Sequence, residues 1–140
     1  MKSFAAIIGK SIPEALKVLA IPSAETIREA SFVLGMRFGP QLSEYLLTYG
    51  AIAFGAVEFN GITEAKKNNS SLVRNTVFLR DAFPGMLSRL AVLEDLGDGA
   101  YVLCDESDHI WRFTPETSLN LVDSGFDLID YTLNRSQESK

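Results

Sequence analysis

The stretch that most constrains this chain runs from residue 90 to 113, LAVLEDLGDGAYVLCDESDHIWRF. Residues 90–94 form a short apolar run, 101–104 resume it, and 109–113 return. Leu96-Gly97-Asp98-Gly99 separates the first two runs, and Asp105-Glu106-Ser107-Asp108 the second pair. Asp-Gly tolerates the positive φ that a tight reversal needs. The spacing therefore predicts a three-stranded antiparallel meander. Bare strands of this kind need something packed on one face, so the rest of the chain must supply helices.

Ser11, Pro13 and Glu14 read as a helix start. Ser11 caps, Pro13 sits where its missing N–H costs nothing, and Glu14 completes a capping box. Ala15, Leu16 and Leu19 would then share a face, with Ile21-Pro22 ending the helix. Ser23 opens a second helix with Ile27, Ala30, Ser31 and Leu34 on one side and Gly35 as its left-handed stop. Pro40 opens a third, striped by Leu42, Tyr45, Leu46 and Tyr49 and stopped by Gly50.

The period then changes. Residues 51–54 and 56–59, around Gly55, read as two short strands or one bent strand ending at Asn60-Gly61, with Glu58 facing away from Val57 and Phe59. The polar run Lys66-Lys67-Asn68-Asn69-Ser70-Ser71 reads as a mobile surface loop. Residues 72–83 read as a short extended piece and then a helix, closed by Pro84-Gly85. Ser124-Gly125-Phe126-Asp127 reads as the start of a last helix with Phe126, Ile129 and Leu133 inward, and 134–140 as a frayed polar tail. Strands in adjacent runs, rather than alternating singly with helices, give an α+β fold with a mainly antiparallel twisted sheet and helices on one face.

At 140 residues the chain is expected to be one domain. Its 18 acidic and 13 basic residues leave a net charge of −5. That argues against nucleic acid as a partner, which favours a basic face, and admits a basic protein partner. No apolar run of about 18 residues is present to span a membrane. Lys10, Glu14 and Lys17 interrupt the apolar start, which argues against a secretory signal. The single cysteine, Cys104, allows no internal disulfide. A cytoplasmic protein is the expectation.

The sharpest catalytic candidate is Cys104 with His109. Across a four-residue turn they would be a directly opposed cross-strand pair, and a thiol beside an imidazole can be activated. The plainer reading is structural: cysteine behaves as a small buried hydrophobe, and no nucleophile motif surrounds it. The turn carboxylates Asp95, Asp98, Asp105, Glu106 and Asp108 match no calcium-loop spacing, and one cysteine with one histidine is too few for a zinc site. No glycine pattern cradles phosphate, so no catalytic residue, cofactor or metal is expected. The aromatics lack interleaved Lys or Arg and read as packing. What remains is an acidic surface: Glu58, Asp95, Asp98, Asp105, Glu106 and Asp108 lie at strand ends and turns. They form a solvated rim or, if they converge, a docking surface for a basic partner.

The order of these pieces resembles the SUKH superfamily, which groups bacterial immunity proteins with fungal cell-wall-synthesis regulators. Leu46-Leu47-Thr48-Tyr49-Gly50 is similar to its helix end, and Asn60-Gly61-Ile62 to its strand end. Val73-Arg74-Asn75-Thr76 with Arg80 is similar to its Val-x-x-Thr stretch with a downstream basic residue. Val92-Leu93-Glu94-Asp95, Gly97-Asp98-Gly99 and Tyr101-Val102-Leu103-Cys104-Asp105 resemble its meander, with Trp111 and Phe126 beyond. The resemblance covers residues 23–133, leaving the helix from Ser11 outside it. It departs at Phe38-Gly39-Pro40, where Leu-Pro is usual, and at Gly125-Phe126, where Ser-Phe is usual. The resemblance implies a non-enzymatic protein-binding domain: an immunity protein that neutralises a cognate toxin, a nuclease being the expected class, or otherwise a scaffold or regulatory domain. It supplies no contact residues and no oligomeric state.

Overall fold

The computed structural model describes residues 2–138. Its first helix, α1 (Phe4–Ser11), opens at Ser3, whose hydroxyl accepts the Ala6 N–H at 3.1 Å. Phe4 and Ile8, one turn apart, are both fully buried. This helix lies upstream of the one that Ser11, Pro13 and Glu14 predict. The capping signature fails because the large residues behind it find no core: Ala15 is half-buried, but Leu16 is exposed and Leu19 is fully so. Leu16 instead pairs with Ala53 as extended chain.

Helices α2 (Ala24–Leu34) and α3 (Pro40–Tyr49) form as their patterns predict. Ser23 caps α2 by accepting the Thr26 N–H, and Gly35 closes it at φ 61°. Strands β1 (Ala53–Phe54) and β2 (Val57–Glu58) make a hairpin around Gly55, with Val57 buried and Glu58 exposed. Within the following polar run, residues 67–69 make one turn of 3-10 helix.

Helix α4 (Ser71–Ala82) takes the segment expected to be a short extended piece and then a helix, with Phe83 as its C-cap. Val73 is β-branched, but Leu72, Val73, Thr76 and Leu79 all gain burial on the helix, and that outweighs a propensity difference of a few tenths of a kcal/mol.

The meander follows as β3 (Leu90–Asp95), β4 (Tyr101–Asp105) and β5 (His109–Phe113). A fourth antiparallel strand, β6 (Val122–Asp127), extends it in the order β3-β4-β5-β6. Ser124 to Asp127 therefore belong to a strand, not to the start of a helix. The free edge of β5 recruits them, and Gly125 at φ 79° absorbs the irregularity. The last helix, α5 (Leu128–Glu138), begins after Asp127, whose carboxylate accepts the Asp130 N–H at 2.8 Å. It includes most of the expected frayed tail; Ser139 and Lys140 lie outside the described residues.

One face of the sheet carries Ala91, Leu93, Val102, Cys104 and Ile110 into the main core, which also holds Phe4, Tyr45, Phe59 and Ile129. The other face carries Leu90, Val92, Leu103 and Phe113 into a smaller cluster, closed by Leu79, Phe83 and Leu87. Each of the large apolar side chains so buried contributes about 1.5–3 kcal/mol.

Candidate functional site

Strand β3 is an edge strand, and unpaired edge groups invite other chains. Here they are covered. Thr76 Oγ1 accepts the Val92 N–H at 2.9 Å, and Asn60 donates its side-chain amide to the Val92 carbonyl and its own N–H to the Leu93 carbonyl. Arg80, one turn beyond Thr76 on α4, donates to the carbonyls of Leu90 and Leu34. The Thr76–Arg80 spacing thus has a physical basis: i and i+4 on a helix reach two rungs of one strand edge. No carboxylate pairs with Arg80 among the described residues, and burial lowers its pKa.

Between Val92 and Glu94 the register slips by one residue. Leu93 is the extra residue of a β-bulge, and a bulge re-aims the side chains after it. Leu93 and Glu94 consequently both turn toward the helices. Glu94 is 3% exposed. Its carboxylate is met by the Arg135 guanidinium at 2.6 and 3.1 Å and by the Tyr131 hydroxyl at 2.6 Å. Burial and the Glu94 carboxylate push the Tyr131 hydroxyl up, and the hydrogen bond to Glu94 raises Arg135. A glutamate inside an apolar strand and an arginine in the last helix are its only traces in the sequence, and neither states that the two meet.

Glu94 and Arg135 line a cleft of about 700 Å³ between the chain at residues 16–18, the β1–β2 hairpin, the start of α4 and the end of β3. Glu58 enters it from the hairpin and Asp95 from β3. Neither has an ion-pair partner among the described residues. Three cations share the lining. Arg135 is closed on Glu94, Lys17 sits 5.2 Å from the centre of the Tyr49 ring, and Arg74 donates to the Asn69 carbonyl. The cleft is therefore polar and charge-balanced, with two carboxylates outside any ion pair, of which Asp95 also accepts the Gly97 N–H at 2.8 Å.

The structure divides the six predicted acidic residues. Glu58 and Asp95 share the cleft, and Asp98 lies exposed in the adjoining β3–β4 turn, where it accepts the Ala100 N–H. Asp105, Glu106 and Asp108 belong to the β4–β5 turn, at the opposite end of the sheet, because consecutive turns of a meander alternate ends. Asp105 accepts the Ser107 and His109 N–H groups and the Trp111 indole. Glu106 accepts the Arg37 N–H at 2.7 Å.

Asp108 corrects the expected docking set, being 3% exposed. It accepts the Gln41 and Leu42 N–H groups at 2.9 Å each, supplying the cap that Gly39, the N-cap residue of α3, has no side chain to give. Burial raises its pKa despite those two bonds.

Cys104 and His109 are not a directly opposed pair. The strands match Cys104 with Ile110, so His109 falls on the other face. Cys104 is fully buried, and burial pushes its thiol up, away from thiolate. His109 meets Asp123 at 2.6 Å and packs edge-on to Trp111. No activated thiol is assembled between them.

No curated protein matches the chain. The model of the SUKH_5 family, described as SMI1-KNR4 cell-wall, matches residues 1–123, from the first helix into the last strand of the sheet. That span takes in the hairpin, the sealed β3 edge and the meander, and the chain belongs to this family.

Proposed function

We propose that the chain is an immunity protein that binds and neutralises a cognate toxin, a basic nuclease being the expected class, and that Glu58 and Asp95 make the first charged contacts. The observation that carries this reading is the pair of carboxylates without an ion-pair partner among the described residues, in a cleft whose cations each have a contact of their own. Preorganised carboxylates speed and orient docking of a cationic surface, and a nuclease that grips phosphate presents one. Asp98 extends the same end of the sheet. Family membership supports a protein-binding role, and the separated Cys104 and His109 offer no competing chemistry.

Co-expression tests this with the toxin candidate encoded beside the chain's gene. Cells carrying the wild-type chain survive. The Glu58→Lys, Asp95→Lys double variant keeps its thermal stability but loses protection, with association slowed about tenfold or more at low salt. Full protection by that variant, or no complex between the purified proteins, overturns the proposal. The family description also admits a regulatory scaffold. A complex with a housekeeping protein that persists after deletion of the toxin gene would favour it.

A further inference from the structure

A second surface shares no residue with the cleft. It wraps the outer side of α2 and the turn that follows. Two grooves of about 370 and 510 Å³ meet there and share Arg28, Ser31 and Arg37. The first runs on to Phe38 and Leu47, the second to Phe32, Met36 and Arg89. Phe32 is 88% exposed and Leu47 46%. Exposed apolar groups gathered this way mark interaction sites more often than isolated ones do.

The charge here is opposite to that of the chain as a whole. Three arginines, Arg28, Arg37 and Arg89, line the grooves against one carboxylate, Glu106, leaving two positive charges on a chain of net −5. Glu106 is already committed, accepting the Arg37 backbone N–H and lying 3.6 Å from Arg89. The guanidiniums of Arg28 and Arg37 have no ion-pair partner among the described residues. Glu25 and Glu29 line neither groove, but they stand on the same side of α2 as Phe32, at i−7 and i−3, so the cationic character is confined to the groove walls carrying Arg28, Arg37 and Arg89. All three cations are arginines, whose planar fork matches a carboxylate in two parallel bonds. Arginine beside an exposed aromatic is also the composition in which interface energy concentrates.

We propose that this face docks an acidic protein segment carrying an apolar side chain, which packs on Phe32 while its carboxylates take Arg28 and Arg37. Charge complementarity selects the occupant, and the exposed ring anchors it. The site is independent of Glu58 and Asp95, so the chain can hold two partners, or two parts of one, at once.

The probe is a short fluorescent peptide alternating glutamate with phenylalanine and leucine, titrated by polarisation against the full chain. Controls replace its glutamates with lysines, or use a single-stranded oligonucleotide. The acidic peptide binds, weakens with salt, and loses at least tenfold in affinity in the Arg28→Glu, Arg37→Glu variant and in Phe32→Ser. Both are exposed positions and should leave the circular dichroism unchanged. Glu58→Lys with Asp95→Lys leaves this binding intact, which separates it from the cleft. Equal binding of the lysine peptide, tighter binding of the oligonucleotide, or no loss in either variant overturns the proposal. So does a concentration-dependent dimer that only the arginine variant abolishes, since a second copy is then the occupant.

Discussion

The Glu94 carboxylate and the Arg135 guanidinium meet at 2.6 Å, the first carried inward by a bulged strand and the second by the final helix. Their side chains are 4% and 19% exposed. Removing one partner strands the other charge away from water. Arg135→Ala should lower stability by about 3 kcal/mol, read from the urea midpoint. Glu94→Leu combined with Arg135→Leu should cost less than Arg135→Ala alone, because replacing both charges leaves neither unpaired. The opposite order would mean the pair acts through something other than charge.

Gly39 and Asp108 should be energetically coupled. Gly39 has φ −65°, so alanine fits its backbone, but a Cβ there runs into the Asp108 carboxylate. Gly39→Ala should cost about 1–3 kcal/mol in the wild-type chain, and clearly less when Asp108 is already alanine. A double-mutant cycle by chemical denaturation reads the coupling. Strict additivity would show that the helix start moves aside instead.

Acid should act through Asp127. Partial burial pushes its carboxyl up, but hydrogen bonds from Lys2, the Asp130 N–H and Gln41 outweigh this and hold it at about 2, below its ordinary 3.8. A depressed carboxyl contributes stability above its unfolded value and loses it as pH falls toward the folded one. The contribution is therefore complete above pH 3.8 and fades toward about 2. Asp127→Asn should flatten the urea midpoint across that window. Asp108 has the other sign. Its pKa is raised chiefly by burial, so its contribution is present below pH 3.8 and is lost as pH rises through its folded value.

Cys104 should react only when the fold opens. It is fully buried with its thiol pushed up by burial and by the nearby carboxylates of Asp108, Asp105 and Asp127. Labelling by an aromatic disulfide at neutral pH should follow global unfolding, accelerating with urea in step with the loss of circular dichroism. Fast labelling of the native chain would contradict this burial.

Where a local pattern and a burial opportunity coincide, the elements were legible. Ser23 to Gly35 and Pro40 to Gly50 carry caps, stripes and stops that agree, and 90–113 alternates with its turns. Sequence misleads where the two separate. Ser11-Pro13-Glu14 has the grammar of a helix start, but of Ala15, Leu16 and Leu19 behind it the two leucines stay exposed. Phe4 and Ile8 carry a weaker signature but fill the core. β6 exists because β5 has an edge to offer, and nothing in Val122-Asp123-Ser124-Gly125 states that by itself. In the site, Glu58 and Asp95 could be picked out by charge. The split of the acidic set could not, since it depends on which end of the sheet each turn occupies. Nor could the Glu94 triad, which requires knowing that Leu93 is supernumerary.

That supernumerary residue sets the sequence of β3 one step out of phase with its ladder. Up to Val92 the strand counts faces one way, and from Glu94 onward it counts them the other way. Deleting Leu93 would leave composition, charge and turn chemistry almost untouched. It would also close the ladder into regular alternation, with Glu94 still opposite Val102 and facing Arg135, and would take a fully buried side chain out of the core. A residue added at Gly55 or among 66–69 would only lengthen an exposed turn. The chain's tolerance of insertions and deletions thus follows burial: slack in the hairpin and the polar turn, and little where the bulge residue fills the core.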